Sequence, residues 1–198
     1  MEINSFIEIL KTGIPVATSA LELIKKIGKS WKPKNKDDQG DLQNLVELLE
    51  KNIKVQEAQM ETARSLNKLF PFLEKATILR SQFDKMYEIS VMSVEPDEGY
   101  WKNQRLNISQ LAQIDAALLS PIENDTFPFP SDKIKKELKS AVTKLRSCHT
   151  RITTFLDNPT QMGQYQILLN EIKSAALFIE QPLKFHFEGL MQAIGYGE

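Results

Sequence analysis

Apolar residues recur at steps of three and four along nearly the whole chain, a spacing that predicts helix almost everywhere. The longest such run covers residues 41–94. From Leu42 one row continues through Val46, Leu49, Ile53, Gln56, Met60, Ala63, Asn67 and Phe70. A second row reads Leu45, Leu48, Asn52, Val55, Gln59, Thr62, Leu66, Leu69 and Leu73. Two adjacent rows make a face wide enough for two neighbouring helices, so this run is expected to be the central rod of a bundle. Asp41, following Gly40, stands where an N-cap belongs. Glu47 with Lys51 and Glu50 with Lys54 add acid-first i,i+4 support on the solvent side. Pro71 predicts a kink or short break, because proline lacks the amide donor and crowds the preceding turn.

The rest of the chain is patterned in the same way. Residues 2–31 predict an amphipathic helix: Ile3, Phe6, Ile7 and Leu10 form its stripe, Gly13-Ile14-Pro15 interrupts it, and Ala17, Ala20, Leu21, Ile24 and Ile27 carry it on to Trp31. Residues 32–40 read as an exposed linker, and EPDEGYWK at 95–102 as a loop whose Tyr100 and Trp101 pack over the bundle end. A third helix is expected over 104–119, ended by Pro121. The connection SPIENDTFPFPSD is long for a compact domain. Its Phe127 and Phe129 could dock a partner as an extended segment or cap the core beneath the loop. Ser131 or Asp132 caps a fourth helix through Asp157, and Asn158-Pro159 stops it and starts a fifth, bent at Pro182 and running to Gly195. The expected fold is an all-α antiparallel bundle of about five long helices, kinked near Pro15, Pro71 and Pro182. It forms one domain over 1–198: N-terminal helix 1–31, linker 32–40 and bundle core 41–198.

Composition narrows the function classes. The chain has 198 residues and a formal net charge of −1, so overall electrostatics select no partner. A single cysteine, Cys148, rules out an internal disulfide and suits a reducing compartment. No apolar run approaches the ~18–20 residues of a spanning helix. The N-terminus lacks the basic start and continuous apolar core of a secretory signal. The expected location is the cytoplasm, with peripheral attachment to a membrane as the second expectation.

The residue types that carry catalysis stand without partners at catalytic spacing. Cys148 and His149 are adjacent, which on a helix turns them about 100° apart and prevents a thiolate–imidazolium pair. The other histidine, His186, has no HExxH or ExxH spacing around it. No phosphate-cradling glycine loop or GxSxG elbow occurs, so a non-enzymatic protein without cofactor, metal or catalytic residues is expected. Asn52, Gln56, Gln59 and Asn67 interrupt the apolar rows as register-setting amides. Residues 131–151 hold seven Lys/Arg against two acids, but residues 37–62 hold seven acids against two lysines. That balance makes nucleic acid an unlikely partner. Residues 25–36 carry six lysines around Trp31 and no acid, a combination suited to an anionic membrane surface. The candidate membrane- or partner-binding residues are therefore Phe6, Leu10, Lys25, Lys26, Lys29, Trp31 and Lys32, with Phe127 and Phe129 as a candidate partner loop.

Over residues 1–160, a short amphipathic helix followed by long, broken helices resembles in layout the helical-bundle effector domains of cell-death and defence proteins, the HeLo and mixed-lineage-kinase-like bundles. The resemblance implies an interaction module whose N-terminal helix engages membrane or partner. The alternatives are a soluble scaffold that binds another protein or self-associates through helix faces, and, more remotely, an enzyme with a site between helices.

Overall fold

A computed structural model of the chain describes residues 3–30, 36–93 and 96–195. All regular elements among them are helices: α1 (Ile3–Ser30), α2 (Lys36–Met92), α3 (Glu98–Glu123), α4 (Asp132–Asp157) and α5 (Met162–Ala193). The all-α reading therefore holds, while several boundaries move.

Four helices run on through their prolines, and Pro121 does not end α3 as expected. α1 continues through Pro15, α2 through Pro71, α3 through Pro121 and α5 through Pro182. Each proline deletes one donor and leaves the carbonyl four residues earlier without its helical partner. Pro15 and Pro71 are exposed, and that carbonyl lies on the same side of the helix, where water can serve it. α2 begins at Lys36, so Asp41 is not its N-cap. The 95–102 segment is not a loop throughout. Asp97 caps α3 by accepting from the Tyr100 amide at 2.7 Å, which places Tyr100 and Trp101 in its first turn. Ser131 caps α4 as expected, accepting from the Ile134 amide at 3.3 Å. Pro159 lies before α5 rather than in its first turn.

The chain divides into two compact units, one of residues 1–67 with 189–198, the other of residues 68–188. The second unit is an antiparallel bundle of the later part of α2 with α3, α4 and most of α5. Its cross-links run in opposite sequence directions. Thr77 and Arg80 meet Glu180, Asp84 meets Lys173 at 2.8 Å, and Gln166 donates to the Ser90 carbonyl at 2.9 Å, so α2 opposes α5. Arg146 meets Glu123 at 3.0 Å and Arg105 donates to the Leu156 carbonyl at 2.5 Å, so α3 opposes α4. Phe83, Leu118, Leu145, Leu169 and Ile172 are each fully buried between them.

At one end of this bundle Trp101 packs edge-on against Phe155 and Tyr165. The Tyr165 hydroxyl donates to Gln104 Oε1 at 3.0 Å, and burial pushes its phenol above the ordinary tyrosine range. The only charged group buried outright among the described residues is Glu180. Arg80 joins it to Asp84, Thr77 donates a 2.9 Å hydrogen bond to it, and Lys173 closes the network at Asp84. A buried carboxylate is tolerable only when satisfied in this way.

The first unit holds α1, residues 36–67 of α2 and the end of α5. Lys25 on α1 meets Glu50 on α2 at 2.6 Å, and the lysine beside it holds the Glu50 carboxyl below its ordinary value. Ile7, Leu10 and Leu21 of α1 and Ile53, Ala63 and Leu66 of α2 are buried.

Candidate functional site

α1 carries more apolar surface than it buries. Beside the buried row of Ile7, Leu10 and Leu21 runs a second one, Ile9, Gly13, Val16, Ala20, Leu23 and Ile27, at steps of four and three. Ile9, Val16 and Leu23 are 57, 65 and 59% exposed, while Gly13 and Ala20 are half-buried between them. On α2, Leu45, Leu48 and Val55 are exposed as well. The second apolar row of the central helix, expected to be covered by a neighbour, is thus left open over its first three turns.

A helix turns about 100° per residue, so on each helix these exposed residues lie roughly 120–180° around from its own end of the Lys25 to Glu50 bridge.

The positions singled out in the sequence scatter around this geometry. Leu10 is buried, on the inward row. Lys25 is held by Glu50, and Lys29 stands on the same side of α1, about 160° from the centre of the exposed row. Lys26 lies at the row's edge. Trp31 and Lys32 fall outside the described residues, as does the Phe6 side chain. Phe127 is 3% exposed and packs edge-on against Phe72 and Phe129, with ring centroids 4.9 and 5.0 Å away. Phe129 is half-buried under the Lys135 ammonium, 5.5 Å from its ring. The loop is folded rather than extended: the Thr126 and Phe127 amides both donate to the Pro121 carbonyl.

Ile9, Val16 and Leu23 were missed because the inward stripe absorbed the reading of this helix. Their signal was present as a second 3–4 spacing, displaced by two residues from the first. A smaller surface in the other unit was missed in the same way. Phe178 and Phe185, seven residues apart on α5, are exposed beside two adjoining pockets between α4 and α5. Lys136 and Lys144 line one of about 600 Å³, with Lys144 5.4 Å above the Phe178 ring, and Phe185 and His186 line the other, of about 550 Å³. Burial lowers the His186 pKa and raises that of the Cys148 thiol.

Among the described residues no three His, Cys, Asp or Glu side chains converge on a metal-sized space, and no helix is long and apolar enough to cross a membrane. No protein-family model, no curated protein and no solved structure matches this chain.

Proposed function

We propose that this chain is a non-enzymatic interaction module whose α1–α2 hairpin docks helical protein through its outward apolar face. The observation that carries this reading is the exposure of Ile9, Val16 and Leu23 on a row with coiled-coil spacing, with Leu45, Leu48 and Val55 of α2 exposed as well. Rows spaced at three and four match the ridges of another helix, whereas a small-molecule site calls for a concave pocket with convergent polar groups.

An anionic membrane is the second candidate, supported by the lysines of α1. Lys25 and Lys29 lie on the side of α1 away from the open row, so lipid contact by the apolar face would hold these charges back from the headgroups. Protein docking is therefore favoured.

The test compares wild type with Val16→Glu/Leu23→Glu. Immobilised wild-type chain is expected to retain protein, whether itself or another, that the variant does not, with circular dichroism unchanged. Flotation of wild type with phosphatidylserine vesicles, in the absence of any protein association, would replace this reading with the membrane one.

A further inference from the structure

The open row of α1 pairs with itself when reversed. It reads Ile9, Gly13, Val16, Ala20, Leu23, Ile27. On a second α1 laid antiparallel, Ile9 meets Ile27, Gly13 meets Leu23 and Val16 meets Ala20, so each small residue receives a large one. Beside Gly13 there is open space for such a side chain: a Cβ built there would touch nothing within 4 Å. A parallel pairing would set Gly13 on Gly13 and Leu23 on Leu23, with a gap at one level and crowding at another.

Charge selects the same direction. Glu8 and Lys26 are eighteen residues apart, about five full turns, and so share one edge of the row. In an antiparallel pair like edges meet, which brings Glu8 of each copy beside Lys26 of the other. A parallel pair joins opposite edges instead, so Glu8 and Lys26 would not meet. Glu8 also takes Lys11 in its own helix at 2.6 Å, an exposed link that leaves the second carboxylate oxygen for a partner.

We infer that the occupant of this face is a second copy of the chain, docked α1 against α1, antiparallel, about a two-fold axis. The inference rests on the reading of the hairpin as an interaction surface and names its partner.

Light scattering on the full chain is the first test, with a mass of twice 22.6 kDa expected at high concentration. Gly13→Leu fills the notch and should weaken association at least tenfold while leaving helicity intact, and Gly13→Leu/Leu23→Ala, which exchanges the sizes, should recover most of it. Direction is read by cross-linking in a Cys148→Ala background. A mixture of Gly13→Cys and Leu23→Cys chains is expected to form a mixed disulfide dimer, and neither variant alone to do so. Two copies of the same residue there lie about 15 Å apart along the helices, beyond the ~7 Å reach of a disulfide.

A single-chain mass at all concentrations, a Gly13→Leu variant that associates like wild type, or cross-linking of either cysteine variant alone overturns the inference. A single-chain mass together with retention of another protein that Val16→Glu/Leu23→Glu abolishes would remove the second copy and keep the docking surface. No retention of any protein would remove both.

Discussion

The two units solve the same problem differently. In residues 68–188 four helical segments surround their apolar rows, and even the buried carboxylate of Glu180 is satisfied by Arg80 and Thr77. In the other unit α1 and the first part of α2 each carry two apolar rows and bury one. A helix pair can shield only the sides that meet, so the wider the apolar arc, the more of it stays in water. The first kind of unit is built to be stable. The second gains most from being met.

Substitutions at buried and open positions should separate these roles most sharply. Phe83 is fully buried in the bundle, and Phe83→Ala is expected to cost about 3–5 kcal/mol of unfolding free energy in urea titrations. Leu23→Ala, at a position 59% exposed, should change unfolding in dilute solution by less than about 0.5 kcal/mol. Its effect should appear in association instead. If Leu23→Ala proves as destabilising as Phe83→Ala at low concentration, α1 is a core helix and the contrast between the units fails.

The ionic network comes next in size. Arg80→Ala leaves Glu180 buried with Thr77 as its remaining partner and is expected to cost about 3 kcal/mol, at the lower end for a broken buried pair because Arg80 and Asp84 are partly exposed. Arg80→Met/Glu180→Leu should recover most of that loss. Association should be unchanged in both, since neither residue lies on the hairpin. Smaller again is Tyr165→Phe, which deprives the buried Gln104 Oε1 of its donor and should cost about 1–2 kcal/mol.

Helix content and the inward rows were legible in the sequence because a 3–4 spacing over many turns has one structural meaning. Four features were not. Pro71 left a kink or a short break open and Pro15 one kinked helix or two; the helix continues through each, because a single missing hydrogen bond on an exposed face is a local cost that the flanking turns outweigh. The second row of the central helix looked like core because spacing records which residues share a face, and whether a neighbour arrives to cover that face is a tertiary fact. Lys25 looked like a membrane contact from the lysine run around it, and Glu50, twenty-five residues away, is what claims it. The Phe127 and Phe129 loop left two readings open for the same reason, and only its packing on Phe72 separates them.

The groove between α4 and α5 extends the comparison to a histidine at an apolar edge of the bundle. His186 shares this groove with Phe185, Pro182, Lys133 and Glu137, and burial holds its pKa below the ordinary histidine value. As pH falls below about 6.5 the unfolded chain takes up the proton first, so the native state loses stability over the interval down to the depressed folded value and none is lost above it. Partial exposure keeps the slope shallow. An NMR titration of the imidazole protons should place the His186 midpoint below that of a histidine in an unfolded peptide, and unfolding midpoints measured in urea should fall slightly between neutral and mildly acidic pH. A midpoint at or above the peptide value would mean that the groove is wetter than its aromatic lining implies. It would then be an open crease of the bundle, set apart from the apolar face of the hairpin in kind as well as in size.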